Sequence, residues 1–450
     1  MVKYSQAGTA RSTVGWETVP RTIHLVLLDR AEALGVLPPF AVPLPWWPEV
    51  ESVVGSARRN AGSAETAETA ESAGIDLAVL RLLDATADPE DPSGMGGTAV
   101  YACQVGPAPL PAGVRARLGP VPPAWKAAAL SEHVLRPPYA RLDGPAALLA
   151  WATDALATTG RALTGPARQV KTWNLSALWV LPTAAGDVWM KAVPGFMAHE
   201  AAIIEAVAAA GWAAAVPRVL GHGPGVALLD HIPGEDQWAA DVPTMAQFAA
   251  LLVRIQVTTA GRAEAVLGPG GPDWRPAAWA DDLERVVGAH PHGPALDALV
   301  AGLPDRWAAI DASGIPDSVV HGDFHPGNVR AGPDGSGPVI LDWSDAGWGH
   351  PILDQPALLD RIDETVHGAG AAAAVAAGWA AEWRRAVPGC DPERAAKLLA
   401  PIAVLRQAVV YQRFLDGIEP SERLYHERDV PERVARADAL ARAEMKNRAE

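Results

Sequence analysis

The chain has 450 residues, a formal net charge of −15 and a pI near 5.3. This length predicts two or three domains, and the acidic balance without a Lys/Arg cluster argues against a nucleic-acid partner. With 49% hydrophobic and 20% charged residues, the composition is that of a packed globular protein and not of a disordered one.

The number and spacing of cysteines indicate the redox environment in which the protein folds. Cys103 and Cys390 are the two cysteines, without a CxxC pair, so neither a disulfide framework nor a zinc site is indicated. This usage is typical of a reducing cytosol, and we expect a cytoplasmic protein. Residues 1–21 lack the apolar core of a signal peptide, and the Ala-rich stretch 371–381 is shorter than a bilayer-spanning helix. We therefore expect no membrane partner. The oligomeric state is left open.

Residues 1–106 are predicted to form a small α+β module. An apolar run at 22–28 and alternating segments at 75–83 and 98–105 are typical of strands, and a helical pattern begins near Glu49. The predicted order is therefore strand, helix, strand, strand.

This order loosely resembles that of a Nudix module. A working Nudix helix carries glutamates one turn apart that hold metal around a pyrophosphate, and the segment 58–61, Arg-Arg-Asn-Ala, does not provide them. The resemblance therefore implies a degenerate module that caps or gates a substrate site. The low-complexity repeat at 64–71 is given no role.

The remaining chain is predicted to contain a linker and two lobes. Residues 107–143 are rich in proline, which interrupts helices and central strands, so they are predicted to be a linker. A sheet lobe follows at 144–232 and a helical lobe at 233–450. The predicted elements of the sheet lobe are helices at 144–159 and 197–210 and strands at 169–174, 177–182, 187–193, 216–220 and 226–234.

A loop in the helical lobe has the residue spacing of a phosphoryl-transfer site. In His-Gly-Asp-Phe-His-Pro-Gly-Asn at 321–328, Asp323 and Asn328 are five positions apart, and Asp342 ends the apolar strand 338–342. A Gly-rich turn at 331–337 folds this strand back onto the loop. Phosphoryl transfer requires a carboxylate near the attacking hydroxyl and oxygen ligands for metal, and this spacing matches the arrangement in protein kinases.

The loop resembles that of the aminoglycoside phosphotransferase and choline kinase family, which reads His-Gly-Asp-x-His-x-x-Asn and is followed by a strand ending in Asp-Trp. The resemblance covers residues 145–430. It implies an α+β, protein-kinase-like fold of two lobes, preceded by the N-terminal module. It also implies ATP and Mg²⁺ as cofactors and a small-molecule hydroxyl as acceptor. The implied roles are catalytic base for Asp323, magnesium ligands for Asn328 and Asp342, and loop-bracing groups for His321 and His325.

Residues of the sheet lobe, upstream of the loop, are candidates for binding the nucleotide. Lys191 ends the third strand of the sheet lobe, where a lysine can pair with the α- and β-phosphates if a helix carboxylate holds it. Glu200 is the favoured partner and Glu205 the competitor. In place of a Gly-rich loop the strands offer the turn 174–177, where Ser176 is expected to contact phosphate. By the resemblance, the main chain near Asp230 and Ile232 reads the adenine edge at a hinge between the lobes.

Carboxylates that follow the metal-binding Asp are candidates for acceptor recognition. Asp345, Asp354 and Asp360 suit a cationic amino compound, so an aminoglycoside-like or amino-sugar acceptor is favoured. From Asp360 onward a solvated acidic surface is the competing interpretation. Neutral sugars, nucleosides and homoserine-like metabolites are alternative acceptors because the fold alone does not select among them. A nucleotide-binding regulatory module without catalysis is the other alternative.

Overall fold

The structure is a computed structural model that describes residues 20–44, 46–61, 75–88, 96–332 and 337–449. The repeat predicted at 64–71 lies outside the described residues, as does most of the N-terminal segment 1–21. The turn predicted at 331–337 is described only at its two ends.

The N-terminal module has the predicted strand, helix and two later strands, and two further short strands precede the helix. Its elements are β1 (Arg21–Asp29), the further strands β2 (Glu32–Val36) and β3 (Phe40–Val42), α1 (Glu51–Ala61), β4 (Leu77–Thr86) and β5 (Gly97–Val105). The sheet has the order β2-β1-β5-β4, with β3 also on β1, and β1 and β5 are parallel. Val53 and Ala57 of α1 share a buried core with Leu25 and Tyr101, and this core continues into both lobes. Arg58 and Arg59 lie in the last turn of α1, which is therefore basic.

The proline-rich segment predicted as a linker is folded. It contains α2 (Ala112–Arg115) and α3 (Pro123–Leu130). Pro123 opens α3, where its missing N–H costs no helical hydrogen bond. Ala129 of α3 packs into a core with Val26 and Leu28, and the ring of Trp125 lies 5.2 Å from that of His24. The segment therefore covers one face of the first sheet.

The sheet lobe follows with five antiparallel strands in the order β6-β7-β8-β10-β9. The helix predicted at 197–210 is shorter than expected, because a 3₁₀ turn precedes it and a π-helical turn follows it. The strand predicted at 216–220 begins later. The elements are α4 (Gly144–Thr158), β6 (Arg168–Thr172), β7 (Ala177–Thr183), β8 (Gly186–Ala192), α5 (Glu200–Val207), β9 (Val219–Gly223) and β10 (Val226–Asp230).

The helical lobe contains two small sheets among its helices, β11-β13-β14 and β12-β15. Its elements are β11 (Glu235–Asp236), α6 (Val242–Thr259), α7 (Glu264–Leu267), α8 (Pro276–Gly288), α9 (Pro294–Ala301), α10 (Leu303–Asp311), β12 (Ser318–Val320), β13 (Val329–Ala331), β14 (Val339–Ile340), β15 (Gly347–Gly349), α11 (Gln355–Leu359), α12 (Glu364–His367), α13 (Ala371–Ala386), α14 (Pro392–Gly417) and α15 (Asp429–Ala449). The predicted α+β class with a small sheet lobe and a larger helical lobe is thus what the structure has.

Helix α14 is long and apolar enough to cross a membrane by length and composition. However, 56% of its most apolar window is buried inside the protein, where Leu399, Ile402 and Leu405 join the core of the helical lobe. These contacts are those of a core helix. The Ala-rich stretch within α13 is likewise held by the buried Trp379 and Trp383.

The end of the helical lobe returns to the N-terminal module. A 3₁₀ helix at Pro420–Tyr425 follows α14, and Tyr425 packs edge-on against Trp47 and Trp173. Just before it, the Glu419 carboxylate accepts hydrogen bonds of 2.9 and 2.8 Å from the Arg136 guanidinium. The N-terminal module, the folded segment after it and both lobes therefore meet at one buried junction.

Candidate active site

The loop at 321–328 connects β12 to β13, and one buried carboxylate forms hydrogen bonds with its backbone. The two oxygens of Asp354 accept hydrogen bonds from the backbone N–H groups of His321, at 2.8 Å, and Gly322, at 2.7 Å. Gly322 has a φ of +91°, and a Cβ there would lie 2.2 Å from the carbonyl oxygen of Asp345. The loop conformation therefore requires glycine at this position.

Asp323 is tied to the other end of the loop. The side-chain amide of Asn328 donates to the carbonyl oxygen of Asp323 at 2.9 Å and lies 3.3 Å from its carboxylate. His325 Nε2 lies 3.4 Å from the same carboxylate. Burial alone would raise the pKa of Asp323, but its interactions with His325 outweigh burial and lower the pKa to about 2. Asp323 is therefore ionised at neutral pH.

Both imidazoles predicted to brace the loop are buried in it. His321 Nε2 donates to the carbonyl oxygen of Leu341 at 2.9 Å, which joins the loop to the strand before Asp342. Burial lowers the pKa of His321 to about 4, so this ring is neutral. His325 Nδ1 accepts from the backbone N–H of Gly327 at 3.1 Å, and the indole of Trp238 stacks on its ring at 4.9 Å.

Asp342 joins the loop to the sheet lobe. Its Oδ1 accepts hydrogen bonds of 2.7 Å from Lys191 Nζ and 2.6 Å from the Ser344 hydroxyl. Its backbone is left-handed, with φ of 58°, a conformation that costs a non-glycine residue about 1–3 kcal/mol and that tends to cluster at functional sites. Burial opposes the ionisation of Asp342, but Lys191 outweighs it and lowers the pKa of Asp342 well below its usual range.

Lys191 pairs with Glu200, as the sequence predicts. Its Nζ lies 2.8 Å from Glu200 Oε1, whereas Glu205 lies at the surface, 3.4 Å from His222. Burial would lower the pKa of Lys191, but Asp342 and Glu200 together raise it, so the ammonium group stays charged. A fixed positive charge thus stands at the junction of the two lobes.

The remaining residues predicted to bind nucleotide lie along the sheet-lobe wall of the same cleft. The Ser176 hydroxyl accepts a hydrogen bond from Trp173 Nε1 at 2.9 Å, and Ile232 follows β10 at the exit to the helical lobe. The side chain of Asp230 is bound by Arg161, at 2.8 and 3.1 Å. Its carboxylate is therefore occupied, and any contact with a base at this position involves the main chain.

The three carboxylates predicted to bind an acceptor have different positions. Asp345 lines the cleft beside Asp323, and burial first, then the charges of Asp323 and Asp342, raise its pKa to about 7. Asp360 also lines the cleft but forms a two-pronged ion pair with Arg436. Asp354 is fully buried beneath the loop, so its prediction as an acceptor ligand is wrong. Its oxygens face backbone N–H groups and Gln256, not the cleft.

We expect Asp354→Asn to lower kcat while the acceptor KM changes by less than about twofold. An amide must turn its NH₂ towards one of the two loop N–H groups, which loses a charge-assisted hydrogen bond and lowers the free energy of unfolding by about 1.5–3 kcal/mol. Steady-state kinetics and urea unfolding measure both. Asp154→Asn, an exposed position on α4, is the control. A raised KM with unchanged stability would instead support acceptor binding.

The cleft is one cavity of about 460 Å³ that extends from the sheet lobe to the helical lobe. Sequence reasoning missed several of its lining residues. Lys171 of β6 lies beside the Lys191 and Asp342 pair, and its backbone pairs with that of Glu49 from the N-terminal module. Arg361 and Arg433 line the opposite side. Lys171 could have been recognised as a candidate because it is a lysine within a predicted strand. The position of Glu49 at the cleft depends on how the domains pack, which residue spacing does not reveal.

A comparison with protein-family models matches residues 190–388 to the phosphotransferase enzyme family. Over this stretch, which is less than half of the chain, the sequence is similar to that family. The match includes Lys191, the loop at 321–328 and Asp342, the residues on which the predicted resemblance depended. The resemblance is confirmed, and so is the predicted class of small-molecule kinase. A comparison with curated proteins finds no significant match.

Several solved structures are similar to the phosphotransferase part of the chain. A choline/ethanolamine kinase family protein from Mesorhizobium loti is 18% identical over 65% of this chain and 94% of that chain, with a TM-score of 0.45. The choline kinase LicA from Streptococcus pneumoniae is 9% identical over 66% and 99%, with a TM-score of 0.46. The macrolide 2'-phosphotransferase MphH from Brachybacterium faecium is 19% identical over 62% and 97%, with a TM-score of 0.43. Likenesses this remote identify no acceptor.

Proposed function

We propose that the chain transfers the γ-phosphoryl group of ATP to a hydroxyl of a small molecule, with Asp323 as the catalytic base. The observation that carries the proposal is the convergence of an ionised Asp323 with the Lys191–Asp342 pair in a single cavity between the lobes. Phosphoryl transfer depends mainly on positioning and charge, which is what this arrangement supplies.

The proton of the acceptor hydroxyl goes to the Asp323 carboxylate as the oxygen attacks phosphorus. A pKa near 2 makes Asp323 a weak base, so its main contribution is to orient the hydroxyl by accepting its hydrogen bond, with the proton passing over late. His325 and Asn328 fix the carboxylate in one orientation for this purpose. Lys191, held by Glu200, supplies positive charge to the nucleotide phosphates.

The donor set suits a magnesium ion bound together with nucleotide. The amide nitrogen of Asn328 donates to Asp323, so the amide oxygen is the atom available to metal. Oδ1 of Asp342 accepts the hydrogen bonds from Lys191 and Ser344, so Oδ2 is the oxygen available to metal. Within the described residues, no cluster of three or more His, Cys, Asp or Glu side chains could hold a metal. Two protein oxygens plus phosphates are typical for Mg²⁺, which would neutralise charge on the transferred group.

We therefore expect magnesium and nucleotide to stabilise the chain together. The melting temperature should change by less than about 1 °C with 5 mM Mg²⁺ alone and rise by several degrees with Mg²⁺ and a non-hydrolysable ATP analogue, because saturating ligand adds about 2.7 kcal/mol at 100 times Kd. Differential scanning fluorimetry measures both. Asp342→Asn should lose most of the magnesium-dependent increment, and an equal increment in that variant would contradict the assignment of Asp342.

A phosphoryl-transfer screen tests the proposed function. The full chain is incubated with ATP, with and without Mg²⁺, and with amino sugars, aminoglycosides, amino alcohols, nucleosides, neutral sugars and sugar acids. Products are detected by mass spectrometry as phosphomonoesters. We expect magnesium-dependent product with at least one hydroxylated acceptor. Nucleotide-dependent stabilisation without product across the panel would instead support the regulatory module. Amino sugars and aminoglycosides, the class favoured by the sequence, are included as direct competitors.

A further inference from the structure

The side of the cavity formed by the helical lobe is lined by arginines. Five arginines of this lobe line it: Arg330 on β13, Arg361 after α11, Arg406 on α14, and Arg433 and Arg436 on α15. Arg361 is close enough to Asp323 for its charge to help lower the pKa of that carboxylate. An acceptor whose hydroxyl reaches Asp323 therefore has to lie against this wall.

Three of the five arginines are already used by the protein. Arg330 Nε donates to the carbonyl oxygen of Gly234 at 2.9 Å. Arg406 is buried, donates to the carbonyl oxygen of Gly322 at 2.7 Å, and lies 5.1 Å from the ring centre of Trp274. Arg436 forms its two-pronged ion pair with Asp360, at 2.6 and 2.5 Å. These two guanidinium groups support the loop and the rim of the cavity.

Arg361 and Arg433 are held differently. The guanidinium of Arg361 lies 5.6 Å from the ring centre of Trp238, and that of Arg433 lies 5.8 Å from the ring centre of Tyr411. Neither forms an ion pair with any carboxylate in the part of the chain that the structure describes. A guanidinium resting on an aromatic ring keeps its N–H groups available for a carboxylate or phosphate.

Apart from Asp323, whose carboxylate lies near Arg361, the carboxylates on the same wall do not balance this charge. Asp236 interacts with Arg330, and burial raises its pKa to about 6. Asp360 is paired with Arg436, and Glu432 lies at the surface, 3.5 Å from Arg428. Asp345 lies beside the loop, where burial and neighbouring carboxylates disfavour its charged form. The guanidinium groups of Arg361 and Arg433, which form no ion pair with the protein's described carboxylates, would repel a cationic acceptor. An anionic acceptor would form ion pairs with both.

We propose that the acceptor is a hydroxylated anion whose carboxylate or phosphate group is bound by Arg361 and Arg433 while its hydroxyl lies at Asp323. This inference rests on the proposed function. In the transfer, the hydroxyl oxygen forms a bond to the γ-phosphorus, the bond from that phosphorus to the β–γ bridging oxygen breaks, and ADP leaves. The hydroxyl proton goes to Asp323. Sugar acids and sugar phosphates are the chemical classes that fit.

Binding is tested separately from catalysis, in the Asp323→Asn variant of the full chain with Mg²⁺ and ADP. Calorimetry compares related glucose derivatives that differ in charge: gluconate and glucose 6-phosphate are anions, glucose is neutral, and glucosamine is a cation. A wider panel of hydroxylated acids, phosphates, neutral compounds and amines follows. We expect the probes that bind to be anions, and the two anionic arms distinguish carboxylate from phosphate. Binding confined to neutral or cationic probes, or no binding by any anion, overturns the inference.

The arginines are tested with the best-bound anion. We expect Arg361→Gln and Arg433→Gln each to weaken it by about 10- to 100-fold, the loss typical of a charge-assisted hydrogen bond, while ADP affinity changes by less than about twofold. Arg433→Lys should recover part of the loss. The matched control is Arg442→Gln, an exposed position on the same helix paired with Asp438. Weaker ADP binding with unchanged anion binding overturns the inference and assigns the arginines to the nucleotide.

The two proposals fail in distinguishable ways. If anions bind through Arg361 and Arg433 but the wild-type chain phosphorylates none of them, the proposed function fails and the anion site stands as a binding site. If the wild-type chain phosphorylates amines or neutral compounds and no anion, the proposed function stands and the anionic acceptor is wrong.

Discussion

Asp323→Asn is expected to lower kcat by about 10²- to 10⁴-fold, the range typical of a positioned general base. The amide has the shape of the carboxylate but cannot take the acceptor's proton, and it also loses the charge that His325 and Asn328 hold in place. Nucleotide affinity should change by less than about threefold because Lys191 and Asp342 are untouched. A coupled ADP-release assay measures kcat, and calorimetry measures nucleotide binding.

The control for this prediction is Asp154→Asn, which removes a carboxylate from the exposed face of α4 and should leave both quantities unchanged. Wild-type kcat in the Asp323→Asn variant would remove Asp323 from the mechanism. A loss of nucleotide binding equal to the loss of kcat would show that Asp323 acts on the nucleotide and not on the acceptor.

The second large effect is expected at the buried junction, where Glu419→Gln should lower the free energy of unfolding by about 3–5 kcal/mol. The change leaves the guanidinium of Arg136 buried without its two-pronged partner, and Arg81, 3.8 Å from the same carboxylate, loses a neighbouring negative charge. Urea unfolding followed by tryptophan fluorescence measures the loss. Because the junction joins the N-terminal module to both lobes, limited proteolysis should also cleave the module sooner.

Glu427→Gln, which alters an exposed carboxylate shortly after the same 3₁₀ helix, is the control and should change stability by less than about 0.5 kcal/mol. If Glu419→Gln is as stable as this control, the ion pair at the junction contributes little and the apolar contacts of Tyr425 hold the module in place.

The geometry of the loop at 321–328 was predictable because its polar residues are close together in the chain. Asp323 and Asn328 share one loop, and a single hairpin brings Asp342 to them, so local turn signals were sufficient. The pairing of Lys191 with Glu200 was predictable for a similar reason, since one strand and the next helix carry the two residues.

The helical-lobe side of the cleft was not predictable because it depends on which way side chains point after long-range packing. In the sequence Asp354 is not distinguishable from the other acidic residues that follow Asp342. In the structure its carboxylate accepts hydrogen bonds from the backbone N–H groups of His321 and Gly322, so it lies under the loop. The wall of Arg361 and Arg433 combines two distant helical segments. The segment at 107–143 was predicted as a linker from its prolines, which instead occupy helix starts and loops against the first sheet.

The central claim is that the loop transfers phosphate to a small molecule, and label transfer tests it most directly. Wild-type and Asp323→Asn chains are incubated with Mg²⁺, γ-³²P-ATP and a desalted cell extract to which the small-metabolite fraction has been returned, and the products are separated into protein and small molecules. We predict label in the small-molecule fraction with the wild-type chain and at least about 100-fold less with the variant. Label in protein alone, or equal label with both chains, would contradict the account.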